Sequence, residues 1–212
     1  MSHRITFFES WIMESPLHVT SLGPMDAFDV VLTNIQYRLN LGWKSISLGD
    51  RYFKIVGDSL VYYFRVNEKN RIIIAVELEK FPQNLTIRWL GKNPAYKGKP
   101  PYASDLYAKI LSDGKIIRVS SDDQLTEEGF KVWEKLFDKG YVIGVYQKGS
   151  LSGYPLEKIT SKEDMKKYFG KSPKEFFRKY QFVISTQKNF AECFCYFNMQ
   201  RLYETAGYDL TH

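Results

Sequence analysis

The sequence predicts an α/β domain in which a central mixed sheet is flanked by helices and interrupted by a basic C-terminal insertion. Three observations carry this. Alternating and β-branched segments between Tyr52 and Leu90 read as an antiparallel run of strands. After Leu90 the pattern becomes loop, helix, strand, helix, strand, and helices that connect strands require part of the sheet to be parallel. Between Lys148 and Tyr180 nine Lys/Arg face four acids, a surplus of five in a chain of net charge +6.

In chain order, residues 5–8 read as a short edge strand. Gly23-Pro24 breaks the chain, and a helix is expected from Met25 to Leu41, because Phe28, Val31, Leu32, Ile35 and Leu39 recur on one face and Gly42 stops it. Tyr52–Val56 and Leu60–Val66 flank Gly57-Asp58, a hairpin signal. RIIIAVELEK supplies a strand over Ile72–Leu78, and in LTIRWL the residues Leu85, Ile87 and Trp89 alternate with Thr86 and Arg88. Tyr102, Leu106, Tyr107, Ile110 and Leu111 form the apolar side of a helix ended by Asp113-Gly114. A strand through Ile116, Ile117 and Val119 follows. A helix from Thr126 to Lys139 carries Phe130, Trp133, Leu136 and Phe137 and ends at Gly140. Tyr141–Tyr146 is a further strand. The basic segment is expected to hold helices at Lys162–Phe169 and Pro173–Lys179, Gln181–Thr186 a strand, and Asn189–Thr205 a closing helix or strand. The expected organisation is a core over 1–147, a basic helical insertion over 148–180, and a strand and helix over 181–212 that complete the core.

A chain of 212 residues can bury one sizeable core. No apolar run approaches the ~18 residues of a membrane span, and MSHRITFFESWIMES lacks a secretory apolar region, so a cytoplasmic protein is expected. Cys193 and Cys195 read as two small core residues, with neither a disulfide framework nor a zinc cluster. His3, His18 and His212 make no metal spacing or catalytic triad, so no metal site is expected. The Walker-type phosphate loop and the G-x-S-x-G elbow are both missing from the sequence.

The segment YKGKPPYASDLY stands where a phosphate-cradling loop stands, ahead of a helix whose N-terminus offers unpaired N–H groups and a positive dipole end. Pro100 and Pro101 each remove one N–H from that cradle, and proline is also well tolerated at the first turn of a helix.

The element order, the loop Tyr96-Lys97-Gly98-Lys99 with helix ASDLYAKIL, and GFKVWEKLFDKGYVIGVY together resemble the GNAT superfamily of N-acyltransferases, over roughly Met25 to Tyr146. A further similarity is to GNAT-like proteins carried by phages. The resemblance implies a strand that splays from its neighbour, with the pantetheine arm of acyl-CoA in the gap and its pyrophosphate on the following helix N-terminus. The implied cofactor is acetyl-CoA or another acyl-CoA. The matching positions are Lys97, Gly98, Lys99, Tyr102, Ala103 and Ser104. This chain departs from the family's Gln/Arg-x-x-Gly-x-Gly/Ala loop, since Ala95 and Pro100 take two of its positions when Gly98 takes the first glycine.

The resemblance also implies a carboxylate as general base and a tyrosine as general acid, and the residues available are Glu77, Asp122 and Tyr146. LTIRWL, the strand before the loop, carries no acid. Glu77 and Glu79 share a strand face, the pattern of a solvated outer face, and Asp122 and Asp123 precede a helix, the pattern of a cap. Ser120 and Ser121 end a strand that opens toward the same cleft. Two functions follow. One is acyl transfer from acyl-CoA to an amine of an acceptor that the basic charge suggests is anionic, a nucleic acid or nucleotide. The other is a catalytically inactive GNAT-fold binding protein that contacts nucleic acid or a protein partner through Lys162, Lys166, Lys167, Lys171, Lys174 and Arg178.

Overall fold

In the computed structural model the residues described are 26–81, 84–113, 118–122, 125–147, 157–170 and 179–185. The expectations for residues 5–8, the cysteines, the three histidines, Ile116 and Ile117, Asp123, most of the second insertion helix with Lys171, Lys174 and Arg178, and the closing element lie outside them.

Helix α1 spans Ala27–Asn40, and Asp26 caps it by accepting the N–H of Phe28. Five antiparallel strands follow: β1 (Ser45–Gly49), β2 (Tyr52–Val56), β3 (Leu60–Val66), β4 (Ile72–Phe81) and β5 (Asn84–Lys92). Strand β1 is an addition to the expected meander. SISLG is short and half exposed, so it lacks the apolar signal of an inner strand. A 3-10 turn at Pro94–Tyr96 leads through the proline loop to α2 (Ala103–Leu111). Then come β6 (Arg118–Ser120), α3 (Glu127–Asp138), β7 (Val142–Gln147), β8 (Glu157–Lys158), α4 (Lys162–Gly170) and β9 (Tyr180–Ser185). The order of these elements is the one the resemblance implies.

The nine strands form one sheet in the order β1-β2-β3-β4-β5-β6-β9-β7-β8. Among the described strands only β5 and β6 run parallel, and β9 enters between β6 and β7. The sheet is mixed, as the helical connections require. It separates two apolar layers. On one side α1 packs Phe28, Val31 and Ile35 against Ile55, Tyr62, Phe64 and Ala75. On the other, Leu106, Tyr107 and Ile110 of α2 and Phe130, Trp133 and Leu136 of α3 cover Val76, Leu78, Leu85, Ile87, Ile143 and Phe182. Strands β3 and β4 are therefore buried on both faces, which explains their unbroken apolar runs.

Three features place the site. At Gly91 of β5 an added Cβ would lie 2.2 Å from Phe28 Cα and 2.4 Å from Phe28 N, so glycine allows α1 to sit directly on that strand. Glu77 pairs with Trp89 and Leu78 with Ile87, which makes Arg88 the extra residue of a bulge. The bulge corrects the expected alternation: Leu85 and Ile87 stay in the α2/α3 core, whereas Trp89 turns to the α1 side and is 39% exposed. Finally, among the described residues β6 meets β5 at Arg118–Ser120 against Asn84–Thr86.

Candidate active site

The site begins where β6 leaves β5. Past Ser120 the chain turns toward β9: the Ser121 N–H donates to the Phe182 carbonyl at 2.8 Å, the Ser121 hydroxyl accepts from Phe182 N at 3.0 Å, and Gln181 Nε2 donates to the Ser121 carbonyl at 3.0 Å. Strand β5 meanwhile continues along β4 to Lys92. The two strands part, and a cavity of about 1140 Å³ occupies the opening. Its walls include Ile87–Lys92 on one side and Ser121, Asp122 and Leu125 on the other, with Tyr107 and Trp133 beneath.

At the point of parting a short polar chain links three strands. Asn84 Nδ2 donates to Thr86 Oγ1 at 3.1 Å, and Ser120 Oγ donates to Asn84 Oδ1 at 2.9 Å. Tyr146 of β7 also lines the cavity, and its phenol hydrogen-bonds with Ser120. Burial pushes the Tyr146 phenol above its ordinary value, and the Ser120 hydrogen bond and the Arg118 charge pull the other way without cancelling the rise. Tyr146 therefore stays a protonated donor at neutral pH.

The predicted catalytic residues are placed differently from one another. Asp122 lines the cavity, and its charge, after the larger effect of burial, helps raise the phenol of Tyr107. It is not the helix cap expected from the sequence: Thr126 caps α3, accepting the Gly129 N–H at 3.1 Å. Glu77 is not on a solvated face. It is 2% exposed under α1, accepts Asn34 Nδ2 at 2.7 Å, and stands 3.5 Å from Arg88 Nη1. Arg88 lines the cavity, so Glu77 reaches it through that guanidinium. Glu79, two residues on, is exposed at the rim.

The loop site is also rebuilt. The Tyr102 N–H, expected to face an anion, donates to Asp105 Oδ2 at 2.8 Å, and Lys139 Nζ stands 2.8 Å from both Asp105 Oδ1 and Ser104 Oγ. The first turn of α2 is thus capped by its own carboxylate, one half of a capping box: Asp105 accepts the N-cap N–H, and the Tyr102 hydroxyl faces the Gly98 carbonyl instead. Gly98 adopts φ +75°, and the Lys99 carbonyl accepts Lys92 Nζ. Around Tyr102, Lys92 Nζ lies 5.2 Å and Lys135 Nζ 5.8 Å from the ring centroid. Burial lowers the Lys92 pKa, Asp105 opposes this, and Lys135 adds to it. Lys92, which lines the cavity, thus stands near Lys135 and near the Asp105 carboxylate that Lys139 holds, and Lys97 and Lys99 are exposed in the adjoining loop. Sequence reasoning missed Lys92, Lys135 and Lys139, which come from β5 and α3. Only the signal that α3 returns to the start of α2 would have found the last two.

In the basic segment Lys162 Nζ pairs with Asp138 at 2.7 Å, Lys166 stands 4.0 Å from Glu134, and Lys167 lies over the Tyr168 ring. Helix α4 packs on α3 through Met165 and the stacked rings of Phe169 and Phe130, 4.3 Å apart. Two of the lysines named for an anionic partner therefore face carboxylates of α3. Among the described residues no group of His, Cys, Asp and Glu is arranged to hold a metal, and no helix is long and apolar enough to cross a membrane.

No family model matches the chain, and no curated protein matches it. Among solved structures, it is similar to mutant forms of the spermidine/spermine N-acetyltransferase SpeG from Vibrio cholerae, at 10% identity, over 76% of this chain and 79% of that one, with a TM-score of 0.39. It is also similar to an acetyltransferase of the GNAT family from Staphylococcus aureus, at 11% identity, over 86% of this chain and 95% of that one, with a TM-score of 0.38.

Proposed function

We propose that this protein is a GNAT-type N-acyltransferase that takes its acyl group from acyl-CoA and passes it to an amine. The observation that carries the reading is the parting of β5 from β6 after the Thr86–Ser120 pair, with a cavity in the opening lined by Lys92, which has Lys135 beside it. The residues fit an acyl-CoA on two counts. The edge of β5 that β6 leaves, Ile87–Lys92, lines the cavity and suits the amides of a pantetheine arm. Lys92, Lys135 and Lys139, joined by Lys97 and Lys99, supply cations for phosphates. They stand in for the amides that Pro100, Pro101 and the self-capped Tyr102 do not offer.

Acyl-CoA supplies the acyl group as an activated thioester. Transfer breaks the acyl C–S bond and forms a C–N bond. A protonated amine gives up two protons in the process, and the departing sulfur takes one of them. Tyr146, neutral and held by Ser120, is the donor we assign to that sulfur, and Asp122 is the carboxylate we assign to receive a proton from the amine. Glu77 acts one step removed, by orienting Arg88.

The test is calorimetric titration with acetyl-CoA, followed by hydrogen exchange. Binding with protection of Ile87–Lys92 and of the start of α2 is expected. No heat together with no protection would sink the reading.

A further inference from the structure

Three directly opposed pairs stand on the α1 side of β4 and β5: Glu77 with Trp89, Glu79 with Thr86, and Phe81 with Asn84. Helix α1 covers the first through Asn34, and its N-terminal end sits on β5 at Gly91. The other two pairs lie in the open. Phe81 is 50% exposed, Trp89 39%, and both line the cavity with Glu79. Two large aromatic rings flanking a carboxylate form a surface that attracts an organic cation, because ring faces and carboxylate both present negative potential. Among the described residues no salt bridge takes Glu79; Arg88, which lines the cavity, is held by Glu77, and Arg118 stands opposite Asn84 on β6. The same pairs adjoin Asn84 and Thr86, and so the polar chain that reaches Tyr146. The two mouths of the cavity thus differ in sign: lysines gather at the loop end, and carboxylate with aromatics at the β4 end.

We propose that the β4 end is the acceptor site and that its acceptor is an aliphatic amine carrying positive charge beyond the reacting nitrogen, held by Glu79 between Phe81 and Trp89. This rests on the acyl-transfer reading above, and it replaces the anionic acceptor suggested by the overall charge. Transfer has the balance already given, with the second ammonium unchanged.

The experiment compares 1,5-diaminopentane, 5-aminopentan-1-ol and 5-aminopentanoate, which differ in the charge of one end. Affinity is read by calorimetry in the presence of CoA, and kcat/KM by thiol release from acetyl-CoA. A carboxylate and an aromatic face together favour the cationic end by about tenfold over the neutral one, with the anionic end weakest. Glu79→Gln collapses the ratio between the diamine and the amino alcohol, and Glu79→Lys inverts it. Equal affinities, preference for the anionic end, or a ratio unchanged in Glu79→Gln would overturn the proposal. Acetyl-CoA binding with no diamine binding overturns it too and leaves the donor reading standing. Failure to bind acetyl-CoA strikes the donor reading instead, and diamine affinity still decides the cation site.

Discussion

Asp105 accepts the backbone N–H of Tyr102 at 2.8 Å and so fills, with a carboxylate of its own chain, the first anion position of α2. Its other oxygen is held by Lys139. Burial pushes the Asp105 carboxyl up, and the Lys139 hydrogen bond, the Tyr102 N–H and the Lys139 charge outweigh it, so its pKa lies below the ordinary aspartate value. A depressed carboxylate contributes stability above its unfolded pKa, and that contribution is lost as pH falls through the folded value. Asp105→Asn is expected to cost about 1 kcal/mol near neutral pH, the usual worth of a helix cap, and less in acid below the ordinary aspartate range. Urea unfolding of both proteins at pH 7 and pH 3 checks this.

Lys92 and Lys135 flank Tyr102 from different elements. Replacing each with Met is expected to weaken acetyl-CoA binding about tenfold, since a charge-assisted hydrogen bond is worth about 1.5–3 kcal/mol. Pantetheine, which has no phosphates, binds both variants and the parent alike. Calorimetry with the two ligands separates the outcomes.

Tyr146→Phe removes one oxygen from the cavity. Turnover should fall by about 10²- to 10⁴-fold, the range of a lost general acid, with acetyl-CoA affinity kept. Because the Tyr146 phenol is raised, the rate of the parent should hold through the pH at which an ordinary tyrosine ionises. A pH–rate profile that declines below that value would exclude Tyr146 as the donor.

Gly91→Ala puts a Cβ into the backbone of Phe28, which has no flexible end to move. The expected cost is about 1–3 kcal/mol, read as a lower midpoint in denaturant. Gly98→Ala has open space around it and only the strain of φ +75°, and should cost about 1 kcal/mol.

The scaffold was legible in the sequence because its signals are local. Phe130, Trp133 and Leu136 mark α3 by spacing, and Gly140, with φ +80°, follows its end. Glu77 misleads because alternation with Glu79 describes a strand with one wet face, whereas β4 is covered on both faces up to Leu78. Asp122 misleads because Asp and Thr both cap helices and the choice of Thr126 depends on where the first turn begins. Trp89 misleads because one inserted residue, Arg88, reverses every side chain after it, and no residue type announces that bulge. The capping of Tyr102 by Asp105 is local, three residues along the chain, whereas the gathering of Lys92, Lys135 and Lys139 depends on how α3 returns to α2, which is long-range packing rather than pattern.

Strand β9 lies between β6 and β7 although it is the last of the nine along the chain. During synthesis, a nascent chain shorter than Tyr180 holds β6 and β7 without the strand that joins them. The wall that draws Ser121 away from β5 is built by Gln181 and Phe182. Among the described strands, the cleft is therefore the last part of the sheet that a growing chain can complete. Emerging chains would expose the inner edges of β6 and β7 until then, and β9 closes both edges in one event.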